Sequence, residues 1–151
     1  MQRYDLAVMP GWQAGWSGLA LKGYLGPAME TRQVLPLNPE KALSGASWGA
    51  KTALESWMAL GSSAWLTADA SYFTGTEAYT GTLRLGWQAL SWLTLGPETA
   101  AFGDEEDDST RAGGFLRIDL GKSEATFSGG WSSVYHGDAS LYGQASVYMR
   151  F

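Results

Sequence analysis

The sequence contains no cysteine, which removes disulfide staples, zinc–thiolate centres and thiol nucleophiles together. Positive charge is scarce: 10 Lys and Arg stand against 15 Asp and Glu, for a net charge of -5. Binding to nucleic acid through a basic face is thereby excluded as a partner class. Long apolar runs are missing too. None approaches the ~20 residues that a transmembrane helix needs. The first residues, Met1-Gln2-Arg3-Tyr4-Asp5, lead straight into structured-looking sequence without an apolar leader or a small-residue cleavage site. That start fits either a cytoplasmic protein or a mature or shortened segment of an exported one.

What is present is unusual. The 151 residues, one domain's length, include 20 Gly, 8 Trp, 7 Tyr and 5 Phe, yet only 45% of residues are hydrophobic. This balance is odd for a soluble helical domain. It suits a transmembrane β-barrel, whose strands show every second residue to lipid.

Two-residue alternation recurs along the chain, whereas a 3.6-residue apolar period is hard to sustain anywhere. Over 78–88, Tyr79, Gly81, Leu83, Leu85 and Trp87 share one face, opposite Thr80, Thr82, Arg84, Gly86 and Gln88. Over 111–120, Ala112, Gly114, Leu116 and Ile118 oppose Arg111, Gly113, Phe115, Arg117 and Asp119. Segments 125–132 and 141–151 alternate in the same way. The pattern predicts strands near 3–12, 16–26, 46–58, 62–73, 77–88, 91–102, 110–120, 123–133 and 140–151. Short connections (13–15, 59–61, 89–90, 121–122) alternate with longer or more polar ones (27–45, 74–76, 103–109, 134–139). Outer-membrane barrels show this asymmetry, with tight periplasmic turns and larger outer loops. Counted back from a periplasmic Phe151, the acidic loop at 104–108 faces the outside of the cell. Nine strands is an odd number, whereas bacterial single-chain barrels have even ones. The parity predicts either a miscount by one or strands upstream of Met1.

The residues capable of chemistry are few. Asp104-Glu105-Glu106-Asp107-Asp108 gathers carboxylates as a hard cation would need, but lacks the glycine and ligand spacing of a calcium loop. It reads as a solvated loop. His136, the only histidine, has Ser132, Ser133 and Asp138 nearby in sequence. Nearness in sequence does not supply the hydrogen-bond reach of a nucleophile and its base, and Tyr135-His136-Gly137-Asp138 reads as a hairpin loop. No catalytic residue, metal site or cofactor is expected. The larger set is Lys51, Glu55, Arg84, Glu98, Arg111, Arg117 and Asp119, all assigned inward as one polar network. A charge on the lipid face would cost ~2–4 kcal/mol at the bilayer midplane. Glu98 is expected to pair with Arg84, Arg111 or Arg117. Tyr148 and the terminal Phe151 are read as the assembly signal on the last strand. Trp65, Tyr72, Phe73 and Tyr79 are exposed aromatics near loops, suited to an interfacial girdle or to stacking on sugar rings.

Specific stretches resemble a known family. Leu35-Pro36-Leu37-Asn38-Pro39, Gly45, Gly49-Ala50-Lys51, Glu55-Ser56-Trp57, Leu95-Gly96-Pro97-Glu98, Arg111-Ala112-Gly113 and Phe151 together resemble the cellulose biosynthesis protein BcsS family, over nearly the whole chain. The resemblance implies an outer-membrane barrel encoded beside cellulose synthase genes. It also implies further N-terminal strands and a signal peptide, which fits the odd strand count.

The sequence therefore predicts a single domain over 1–151: an all-β, antiparallel transmembrane β-barrel of about 8–10 strands in the bacterial outer membrane. It is expected to be no enzyme but an accessory to the biosynthesis or export of cellulose or another exopolysaccharide. Barrels of ~8 strands are filled by side chains, so the chain is not expected to be the glycan conduit. Expected partners are outer-membrane lipid, the barrel-assembly machinery, and the glycan with its secretion components. Two alternatives remain open: a soluble lipocalin-like barrel holding an apolar ligand, and an outer-membrane enzyme active at its rim.

Overall fold

A computed structural model describes residues 2–33, 44–105, 108–134 and 139–149. All regular structure among them is antiparallel strand: β1 (Gln2–Ala7), β2 (Gly11–Trp16), β3 (Leu19–Gln33), β4 (Ser44–Ala59), β5 (Ala64–Phe73), β6 (Ala78–Leu90), β7 (Leu93–Gly103), β8 (Asp108–Asp119), β9 (Ser123–Val134) and β10 (Ala139–Met149). They form one sheet in the order β1-β3-β4-β5-β6-β7-β8-β9-β10, with β2 also on β3.

The ten strands make nine rows. β1 and β2 lie end to end along β3, and the pairing Ala7↔Ala28 continues in the same register at Gly11↔Tyr24. Pro10 has no N–H to give, so the ladder thins there. It is bridged by Val8 N donating to Pro27 O at 3.1 Å and Leu25 N donating to Pro10 O at 3.1 Å. The expected turn at 13–15 is strand instead. The chain turns at Ser17-Gly18, where Gly18 adopts φ 80°, a left-handed conformation that glycine reaches without a side-chain clash. β3 accordingly runs seven residues beyond the expected end at 26, and the long connection shrinks to 34–43, outside the described residues.

The sheet is not closed: among the described residues β10 pairs only with β9, and β1 and β2 only with β3. Because all neighbours are antiparallel, the first and ninth rows run in the same direction. A direct seam between them would be parallel.

Burial is inverted relative to a soluble protein. Among the described residues the buried apolar side chains are Ala28, Phe73 and Phe115, whereas Glu30 (2% exposed), Glu98 (7%), Thr94 and Ser132 are buried polar ones. Trp12, Trp16, Trp48, Trp87, Trp131 and Leu141 are all more than half exposed. The accessible surface, 10400 Å², compares with about 7,500 Å² for a compact soluble protein of this mass.

Residues paired across antiparallel strands share a face, so the registers sort every strand position. One face carries Asp5, Lys22, Glu30, Lys51, Glu55, Asp69, Arg84, Glu98, Arg111, Arg117, Asp119 and Glu124. The other carries Leu21, Leu54, Leu66, Leu83, Leu85, Leu95, Leu116, Phe127, Trp131, Leu141 and Val147. On the apolar face the one charge among the described strand positions is Asp108, the first residue of β8.

Candidate functional site

The polar face is concave, and glycines make it so. Glu98 on β7, Gly113 on β8, Gly130 on β9 and Tyr142 on β10 are register partners in one line. Three strand spacings separate Glu98 from Tyr142, about 14 Å on a flat sheet. Yet the Tyr142 hydroxyl donates to Glu98 Oε1 at 3.5 Å. That reach is possible only because the sheet curls and the two intervening positions lack side chains. A Cβ on Gly113 would lie 2.2 Å from Gly129 O, and one on Gly130 2.3 Å from Ala112 O. The next line repeats the device: Trp65 on β5 reaches Phe115 on β8, ring centroids 5.7 Å apart. Between them are Gly86 and Gly96 on β6 and β7. A Cβ on Gly86 would meet the Trp65 indole at 2.2 Å.

The seven residues assigned inward all lie on this concave face, but they do not form one network. Arg84 Nε donates to Glu98 Oε2, with the carboxylate side chain 6% exposed and the arginine 33%. Lys51 pairs with Asp5. Glu55 pairs with Lys22 at 3.5 Å, both about half exposed, an arrangement worth ~0–1 kcal/mol. Arg117 sits 3.9 Å from Glu124 and 4.9 Å above the Trp65 ring. Arg111 meets no carboxylate among the described residues; its guanidinium lies 4.5 Å from the Phe102 ring and 5.2 Å from Tyr142. Asp119 leaves the set: its Oδ1 accepts from Gly121 N at 2.7 Å, closing the β8–β9 turn. Among the described residues four separate ion pairs result.

Sequence reasoning missed Asp5, Lys22, Glu30, Asp69 and Glu124 as members of this face. Alternation would have found them, since Lys22 sits between Leu21 and Gly23, and Asp69 between Ala68 and Ala70. The aromatic reading is corrected in part. Phe73 is 5% exposed and Trp65 points into the concave side, because odd-numbered positions of β5 face inward. Tyr72 and Tyr79 are register partners on the apolar face, 41% and 37% exposed. Tyr79 donates to Asp108 Oδ1 at 2.7 Å.

Other candidates carry less. Ser132 and Ser133 bond with hydroxyls of β8: Ser109 at 3.4 Å and Thr110 at 2.7 Å. His136, Asp138, Glu106, Asp107 and Phe151 lie outside the described residues. Tyr148 stands on β10 opposite Glu124, 63% exposed. Among the hollows formed by the described residues, two bear on function. A trough of about 660 Å³ opens over Trp12, Leu25, Leu54 and Tyr72, with no charge in its walls. A smaller cavity of about 230 Å³ lies among Arg84, Glu98, Phe102, Arg111 and Gln144. The larger is apolar surface; the smaller holds the chemistry.

The sequence model of the cellulose biosynthesis protein BcsS family matches residues 1–151. The chain belongs to this family. No curated protein and no solved structure matches it. Membership ties the chain to cellulose biosynthesis. The Leu95-Gly96-Pro97-Glu98 stretch that carries the resemblance is the part of β7 that supplies both the cleared floor at Gly96 and the buried carboxylate.

Proposed function

We propose that the chain is a non-enzymatic component of the bacterial outer membrane, crossing it with these strands and serving cellulose or related exopolysaccharide biosynthesis as an accessory. The observation that carries the reading is the inverted distribution: charges on the concave face and exposed Leu, Val and Trp on the convex one. In water that convex face is a large unfavourable surface; in lipid it is the required one. A lipocalin-like carrier needs the opposite, an apolar inside.

The spacing of aromatics agrees. On the apolar face Trp48, Tyr72, Tyr79 and Trp131 sit toward one end of the strands, and Trp16 and Trp87 toward the other. Tyr79 and Trp87 are eight residues apart on β6, about 27 Å of strand. At a tilt of 35–45° this spans about 20 Å of height, close to the ~25 Å apolar band of such barrels. Backbone groups at an open edge cannot stay unpaired in lipid, so both edges, β1/β2 and β10, must be paired in the membrane. The concave face is occupied by Arg84, Glu98, Trp65, Phe115 and Tyr142, which fits a scaffold or surface-binding role better than a glycan conduit.

Deleting the gene tests this. Cellulose recovered from cells should fall, while cellulose synthase activity in inner-membrane vesicles stays unchanged and the protein fractionates with outer membrane. Recovery in the soluble fraction without detergent would overturn it.

A further inference from the structure

Among the described residues the cations of the concave face are matched locally, with one exception. Lys22, Lys51, Arg84 and Arg117 each have a carboxylate partner. Arg111 does not among the described residues, and its Nε is buried without a hydrogen-bond acceptor. Asp69, the acid in the same register line, is three strands away on β5. The guanidinium is nevertheless held in place between the Phe102 and Tyr142 rings, a cation–π arrangement that fixes its plane. It forms a wall of the cavity of about 230 Å³, whose other charges, Arg84 and Glu98, neutralise each other. A cavity with one surplus positive charge and a pre-oriented donor fork suits a carboxylate, which accepts two parallel N–H bonds from such a fork. Thr82 and Gln144 on the same walls supply hydroxyl and amide groups for a polyhydroxyl body. The volume equals about seven or eight waters at ~30 Å³ each, the size of one sugar ring rather than an oligosaccharide.

We propose that this cavity binds a single small carboxylate-bearing molecule of the sugar-acid class, with its carboxylate on Arg111. The inference does not rest on the accessory reading, since the cavity exists whichever polymer is exported. The full chain, refolded in detergent micelles, is titrated calorimetrically with sodium glucuronate, sodium acetate and glucose at constant ionic strength. Glucuronate should bind saturably, with a dissociation constant on the order of millimolar, and glucose at least tenfold more weakly. Acetate binding as tightly as glucuronate would support the carboxylate contact and make free small acids its source. Arg111→Gln should weaken glucuronate at least tenfold while the folded band on unheated gels is kept. Ala100→Leu fills the cavity beside Arg111 without removing a charge and should cause the same loss, which decides the matter if Arg111→Gln does not fold. Absence of saturable glucuronate binding, glucose binding as tightly, or binding unchanged in both variants would each overturn the proposal.

Discussion

Neutralising Glu98 is the most informative single change, because its environment fixes what should follow. The carboxylate side chain is 6% exposed and accepts from Arg84 on one oxygen and Tyr142 on the other. A hydrogen bond involving a charged group contributes about 1.5–3 kcal/mol. Losing one partner of a fully buried pair costs ~3–5 kcal/mol. Arg84 is one-third exposed, so water compensates part of its loss and the lower range applies. Glu98→Gln keeps the shape and one acceptor, and should cost about 1.5–3 kcal/mol. Arg84→Met should cost about as much or more, since it strands a buried carboxylate with only the Tyr142 hydroxyl. The double variant should fall short of the sum by about 1–3 kcal/mol, the signature of direct contact. Glu98→Gln combined with Arg117→Met should be additive within ~0.5 kcal/mol, because Arg117 is engaged with Glu124 and Trp65. Urea unfolding of the refolded protein in lipid vesicles, followed by tryptophan emission, measures all four. Additivity of Glu98→Gln with Arg84→Met would refute the pairing, and an unchanged midpoint for Glu98→Gln would refute burial of the carboxylate.

Two further outcomes follow from the same geometry and a third from the sequence of the last strand. Gly113→Val should prevent a stable fold or lower the urea midpoint sharply, as even a Cβ there lies 2.2 Å from a carbonyl of the neighbouring strand; a midpoint like the parent's would contradict the cleared floor. Leu83→Arg, mid-strand on the convex face, should cost ~2–4 kcal/mol, whereas Ser140→Arg on the concave face should cost under ~1 kcal/mol; equal costs would remove the distinction between faces. Deleting Phe151 should reduce the fraction inserted in cells and leave the in vitro urea midpoint within error, and normal insertion would make it an ordinary strand end.

How much of this was legible in the sequence depends on the strand. β6, β8 and β9 alternate cleanly, so their faces follow from counting by two. The row count of nine was equally legible, because Pro10 interrupts hydrogen bonding without shifting register. The turn after β2 was not, since Gly11, Gly15 and Gly18 all offer a turn and only pairing against β3 selects Gly18. The site was legible as a set of inward charges but not as pairs. Alternation gives the face of a residue and says nothing about its height on the neighbouring strand, which decides that Glu98 meets Arg84 while Arg111 meets two rings. The reach of Tyr142 to Glu98 was hidden for another reason: it depends on Gly113 and Gly130 falling in one line, a coincidence of three registers that no single segment displays.

The central claim is that the Leu- and Trp-bearing face meets lipid and the charged face does not. The absence of native cysteine makes a direct test simple: single cysteines are placed one at a time at 80–85 and 87 along β6, spin-labelled and read in bilayers. Collision with dissolved oxygen should peak at positions 81, 83, 85 and 87, and collision with a water-soluble nickel chelate at 80, 82 and 84. The opposite phase, or high nickel access at every position, would contradict the account.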